Sequence, residues 1–207
     1  MGIIKRGILG GVSGKVANVI GGSWKGIEYL RAMPLSVANP RTTSQVANRD
    51  RFKSVTVLAS EMLTTIIKPL WDRFAVSMSG YNDFCKSNKD VFSGGTFQAS
   101  SLVISRGKMD APTGLTGTAN STAHTFTVSW SNALSDAYAS ADDEVYIAVV
   151  GSEGVFAAAV SGAVKRSAGT VTFDYPPTWR GGQPIAFVAF RRPDGTIVSN
   201  SASVVID

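Results

Sequence analysis

Residues 14–31, GKVANVIGGSWKGIEYLR, set the frame for the N-terminal half of the chain. The stretch reads as a tight β-hairpin turning at Gly21-Gly22, because two glycines adopt positive φ without a Cβ clash and primed two-residue turns require that. On its first strand Val16, Asn18 and Ile20 share one face while Ala17 and Val19 share the other. After the turn, Ile27, Tyr29 and Arg31 alternate with Trp24, Gly26, Glu28 and Leu30, so apolar bulk falls on both faces. An isolated hairpin is marginal in water. Trp24, Tyr29 and Leu30 therefore need cover, either from the helices that follow or from another subunit.

Upstream, residues 1–13 (MGIIKRGILGGVS) form a glycine-rich apolar arm in which Ile3, Ile4, Ile8 and Leu9 call for burial. The arm lies along its own subunit or docks on a neighbouring copy by pairing with a sheet edge there. Gly14-Lys15 is not a phosphate-binding loop, since Leu9 stands where the first glycine belongs and Val16 where a hydroxyl residue belongs. Ser13 is not a hydrolase elbow, because Lys15 replaces its second glycine.

Downstream, Met33-Pro34 ends the ribbon, and Asn39-Pro40-Arg41-Thr42-Thr43 forms a turn into a helix. Thr42 and Gln45 have capping-box spacing. Phe52, Val55, Ala59, Met62 and Ile66 fall at helical steps on one face. Pro69 suits only the first turn of a new helix, which puts a break near residues 64–67. A second helix then runs through Leu70, Trp71, Phe74 and Met78, and a third carries Tyr81 and Phe84 after Gly80. Residues 14–92 thus form a hairpin and helical module, an α+β unit. Residues 93–110 read as a strand, Leu102-Val103-Ile104, plus linker.

The remainder, residues 111–207, alternates. In Asp110-Ala111-Pro112-Thr113-Gly114-Leu115 an Ala-Pro pair precedes a Leu that enters the core, as in the first strand of an immunoglobulin or fibronectin III-like sandwich. Phe126, Val128 and Trp130 point one way and Thr125, Thr127 and Ser129 the other, a strand wet on one face. Val145, Ile147 and Val149 repeat the pattern, as do Val171, Phe173 and Tyr175, then Ile185, Phe187 and Ala189, and finally Val204 and Ile206. Asp194-Gly195 supplies a hairpin turn. Six or seven short strands make an all-β immunoglobulin-like sandwich with Trp130 as core anchor.

Composition narrows the chemistry. The 207 residues include one cysteine and one histidine, so neither an intrachain disulfide nor a structural zinc site can form. Cys85 has only Lys86 and Asp83 close by in sequence to activate it, and His124 has no companion for acid and base work. A non-enzymatic protein without cofactor or metal is expected. The run after Lys5 and Arg6 is too broken for a signal peptide, and no run is long enough for a membrane span. Asp136, Asp142, Asp143 and Glu144 gather carboxylates in one loop without calcium-loop spacing, which reads as a solvated acidic loop. Trp179 and Tyr175 beside Pro176-Pro177 read as packing, with stacking on sugar rings as the alternative. Residues 1–110 carry a net charge of +8 and the rest −3, against +5 overall. The basic half offers Lys25, Arg41, Arg49, Arg51 and Lys53 to nucleic acid as one option, with steep salt dependence.

Gly14-Lys15-Val16, Trp24-Lys25-Gly26, Tyr29, Arg31 and Pro34, then Asn39-Pro40-Arg41-Thr42, Gln45, Arg49, Phe52 and Trp71, and Gly80-Tyr81-Asn82-Asp83-Phe84 with Asn88, together resemble an uncharacterised protein family of Bacteroidota genomes and their phages. The resemblance covers about residues 1–92 closely and the rest through its all-β character. Similar Asn-Pro-x-Thr segments in phage structural genes imply a virion or assembly role. The family supplies no catalytic residues. The expectation is a structural protein that assembles in multiple copies as a homo-oligomer with other structural proteins, as a capsid- or tail-associated phage virion component. Ile3, Ile4, Ile8, Leu9, Trp24 and Tyr29 would make its contacts. Outside a particle it would be cytoplasmic. The rivals are a nucleic-acid-associated protein and an extracellular filament or surface module binding glycan or a receptor.

Overall fold

The computed structural model describes residues 3–4, 12–36, 39–134 and 136–207. It has three sheets and three α-helices. The first sheet is an antiparallel meander of β1 (Ile3–Ile4), β2 (Val12–Val16), β3 (Val19–Trp24) and β4 (Ile27–Ala32). Gly21-Gly22 is not its turn. Both glycines lie inside β3, opposite Leu30 and Tyr29. The chain reverses instead at Ala17-Asn18 and at Lys25-Gly26. Lys25 (φ 46°) and Gly26 (φ 82°) both take the left-handed backbone that a primed two-residue turn demands. The glycines of β3 serve close approach: a Cβ on Gly21 would collide with the Val12 carbonyl oxygen, and one on Gly22 would strike the Tyr29 ring.

Helix α1 (Thr43–Glu61) begins at the expected capping box. Thr42 Oγ1 accepts from the Gln45 amide and Gln45 Oε1 accepts from the Thr42 amide, both at 3.4 Å. Val55, Ala59, Met62 and Ile66 are buried as the period predicts, but Phe52 is 61 % exposed, because the first turns of α1 project beyond the layer they would cover. The expected break is a π-turn over Leu63–Ile67, in which the Ile67 amide reaches the Met62 carbonyl at 3.0 Å. This widened turn carries the chain into α2 (Lys68–Trp71), where Pro69, having no N–H, sits in the first turn. Helix α2 stops at Trp71 rather than continuing to Met78. Ser77 takes φ 58°, and the Asp72 carboxylate turns to accept the Gly80 amide at 2.9 Å. Helix α3 (Gly80–Ser87) buries Phe84 and Cys85.

Seven further strands complete the fold: β5 (Thr116–Asn120), β6 (Thr125–Ser129), β7 (Glu144–Gly151), β8 (Phe156–Lys165), β9 (Thr170–Asp174), β10 (Pro184–Arg191) and β11 (Ala202–Val205). They form two antiparallel sheets, ordered β5-β6-β9 and β11-β10-β7-β8. Between the sheets lies one core with Phe126, Val128, Trp130, Val145, Ile147, Val149, Val188 and Phe190. Trp130 is buried there, and its indole N–H donates to the Arg166 carbonyl at 2.8 Å. Leu115 packs against this core just before β5 starts.

Strands β7 and β10 are not wet on one face. Tyr146, Ala148 and Val150, with Ile185, Phe187 and Ala189, form the reverse side of the same sheet, and Val55, Ile66, Trp71 and Phe84 pack onto it in a second core. The layers are therefore helices, four-stranded sheet and three-stranded sheet, and residue 92 does not divide two cores. Leu102-Val103-Ile104 is not a strand. Leu102, Ile104 and Met109 are nevertheless buried, and the extended run is stitched to residues 199–201 through Ser105 Oγ to the Ser199 carbonyl and the Ser201 amide to the Ser105 carbonyl. Trp71 Nε1 donates to the Ile104 carbonyl at 2.7 Å and holds the helices to this run.

Candidate functional site

The meander stands apart from both cores, since no residue of β2 to β4 belongs to either among the described residues. Alternation along antiparallel strands puts residues directly opposite one another on the same face. One face thus collects Ile20, Trp24, Ile27 and Tyr29 with Lys15 and Arg31 at its margin, and the other collects Val16, Val19 and Leu30. Trp24 shares a face with Ile27 and Tyr29 and not with Leu30, because the turn at Lys25-Gly26 places it on the preceding strand. Trp24 is 52 %, Ile27 51 %, Tyr29 47 % and Leu30 63 % exposed. The one hydrogen bond between a meander side chain and the rest of the described chain runs from Lys25 Nζ to the Met78 carbonyl at 2.6 Å.

Of the arm residues, Ile3 and Ile4 form β1, paired with Ser13 and Val12, which places these two residues on the chain's own sheet. Ile8 and Leu9 lie outside the described residues. The sequence points to Trp24 and Tyr29 and not to Ile27, which shares their face and is equally exposed. The alternation that found Tyr29 also contains Ile27, two positions earlier on the same strand.

The proposed nucleic-acid residues do not converge as free charges. Lys25 holds Met78, Arg49 donates to the Pro40 carbonyl at 3.2 Å, and Arg51 bridges Asp90 at 3.1 Å and Asn48 at 2.8 Å. Arg41 and Lys53 are exposed and make no hydrogen bond or ion pair among the described residues.

The acidic loop is divided among separate partners. Asp136 accepts backbone amides from Tyr138 and Ala139, Asp142 pairs with Lys165 at 2.7 Å, and Glu144 pairs with Arg191 at 2.6 Å. Asp143 is fully buried against buried Arg166 at 3.6 Å, so it is not a solvated loop residue. Burial pushes the Asp143 carboxyl up and the Arg166 guanidinium down. Arg166 also lies over the Phe190 ring at 3.9 Å. Among the described residues no group of three metal-ligating side chains converges.

The remaining reactive side chains are occupied in packing. Burial pushes the Cys85 thiol up, away from the thiolate a nucleophile needs. His124 lies edge-on to Tyr175, which stacks on Phe126 at 4.2 Å, and Trp179 closes the same cluster. A cleft of about 530 Å³ beside α1 brings together Asn48, Asp50, Arg51, Ser54 and Phe92, with Arg51 already paired to Asp90. Among the described residues no helix is long and apolar enough to cross a membrane.

No curated protein and no solved structure matches the chain. The model of a family of unknown function (DUF6266) matches residues 11–205, and the chain belongs to that family.

Proposed function

We propose that this is a non-enzymatic structural protein whose copies assemble through the N-terminal meander. The observation that carries the reading is the exposure of Trp24, Ile27, Tyr29 and Leu30 on a sheet with apolar side chains on both faces. Contiguous exposed apolar surface of this kind marks an interaction site. A two-sided sheet left in water also lacks the burial that stabilises strands. The non-enzymatic reading draws support from Cys85, a buried thiol whose pKa burial pushes up, and from His124, which packs edge-on to Tyr175.

The two sandwich sheets fit a fibronectin III-like module. The strand β8 extends the sheet of β7 and β10 rather than that of β9, giving three strands against four. Such a module serves as a rigid body that presents the meander. The particle we propose is a phage virion, as a capsid- or tail-associated component, on the strength of the resemblance of residues 39–52 to segments of phage structural genes. Mass spectrometry of purified phage particles tests the virion assignment: peptides of this chain in amounts comparable with other structural proteins support it, and their absence from intact particles overturns it. Light scattering and negative stain of the purified protein test assembly itself, with uniform multimers expected.

A further inference from the structure

The outer edge of β4 is an open strand edge of the meander. All six residues of Ile27–Ala32 are exposed, and among the described residues no strand pairs with that edge. The hydrogen-bonding direction of each residue follows from the turn. A two-residue hairpin closes on a mutually bonded pair, here Trp24 and Ile27, so Ile27, Tyr29 and Arg31 bond inward to β3. The Met33 amide donating to the Asn18 carbonyl at 2.7 Å continues the same phase. Glu28, Leu30 and Ala32 consequently aim their N–H and C=O groups outward.

Exposed edges are ordinarily blunted by bulges, prolines, charged side chains or very short strands. Strand β8, at an edge of the second sheet, carries two register shifts. Strand β4 has no such break: its register with β3 runs from Val19 opposite Ala32 to Trp24 opposite Ile27, it contains no proline, and its charged side chains are Glu28 and Arg31.

Resting on the reading that the meander is the assembly surface, we infer that β4 pairs antiparallel with β4 of a second copy about a twofold axis at Leu30, joining two meanders into one eight-stranded sheet. A twofold axis normal to the sheet requires that a residue face its own counterpart. Centring on Leu30 sets Glu28, Leu30 and Ala32 opposite Ala32, Leu30 and Glu28 of the second copy, which uses all three outward residues. Tyr29 then faces Arg31 of the second copy on the aromatic face, a ring and guanidinium pair. Centring on Glu28 would place two carboxylates against each other, and centring on Tyr29 would leave Ala32 facing the turn. The self-complementarity of these six residues selects a second copy as the occupant.

Tyr29 and Arg31 of the second copy form a pair without mutual backbone hydrogen bonds, where Cβ atoms approach closely enough for a disulfide. Mixing Tyr29→Cys copies with Arg31→Cys copies and oxidising is expected to give the mixed disulfide in clear excess over either homodisulfide. A dominant Tyr29→Cys homodisulfide overturns the register. In parallel, Leu30→Pro deletes only an outward N–H, which an edge strand tolerates, and is expected to weaken dimerisation at least tenfold in sedimentation, with unchanged melting. If the unmodified chain remains monomeric, the assembly reading itself fails. If it assembles, while Leu30→Pro does so equally well and no mixed disulfide accumulates, only the β4 pairing is overturned.

Discussion

The side-chain amide of Asn88 makes both hydrogen bonds that the peptide of Val103 offers: Oδ1 accepts from its N–H at 2.8 Å and Nδ2 donates to its carbonyl at 2.9 Å. Asn88 is buried at the end of α3, so it imitates a neighbouring strand and fixes the run 102–104 against the helices. Asn88→Leu keeps the volume and strands both peptide groups. It is expected to cost on the order of 2 to 3 kcal/mol in urea unfolding, since each buried group left unpaired carries its own desolvation penalty.

The Asp143 and Arg166 pair predicts a sign pattern. Removing one partner leaves an uncompensated buried charge, so Asp143→Ala is expected to destabilise by about 3 to 5 kcal/mol. Replacing both, with Asp143→Leu and Arg166→Met, is expected to cost less than Asp143→Ala alone. Chemical denaturation of the two variants checks the order.

Tyr146 is buried under the helices, and burial pushes its phenol up to about 12. Its hydroxyl donates to Glu144 Oε2 at 3.1 Å. A raised phenol means the folded state holds the proton more tightly than the unfolded one. The associated stability is full below about pH 10, the ordinary tyrosine value, and is lost as pH rises towards 12. Absorbance titration should therefore show a phenol ionising at about pH 12. Tyr146→Phe should remove that step and flatten the fall in melting temperature over the same window.

Gly80 begins α3 directly against Asp72. A Cβ there would lie 2.7 Å from the Asp72 amide nitrogen and 2.9 Å from its Cα, contacts that only a backbone shift relieves. Gly80→Ala is expected to destabilise by about 1 to 3 kcal/mol in thermal or urea unfolding, the cost of overpacking.

Much of this architecture is legible in the residues. The capping box at Thr42, the buried helical positions from Val55 to Ile66, the turn at Asp194-Gly195 and the inward set Phe126, Val128 and Trp130 follow from local chemistry and period. The two-sided burial of β7 and β10 was also encoded, in the unbroken apolar runs VYIAVV and IAFVAF, which alternation analysis alone splits into wet and dry faces. Paired glycines signal positive φ and close approach alike, so the residues alone do not tell a turn at Gly21-Gly22 from a crowded strand. Here close approach governs: Tyr29 lies over Gly22, and Val12 over Gly21. The pairing of Asp143 with Arg166 depends on β7 meeting the end of β8, a tertiary fact with no local signature. Of the candidate surface, the apolar character of Trp24 and Tyr29 could be read directly. Their exposure could not, because it reflects what the helices cover instead, namely the sandwich.

The central claim is that the meander recruits another copy. Sedimentation velocity across a concentration series, on the unmodified chain and on a variant carrying Trp24→Ser, Ile27→Ser, Tyr29→Ser and Leu30→Ser, tests it most directly. The unmodified chain is expected to grow in mass with concentration, and the variant to stay monomeric while the two cores melt unchanged. A monomer at every concentration for the unmodified chain, or equal assembly by the variant, would contradict the account.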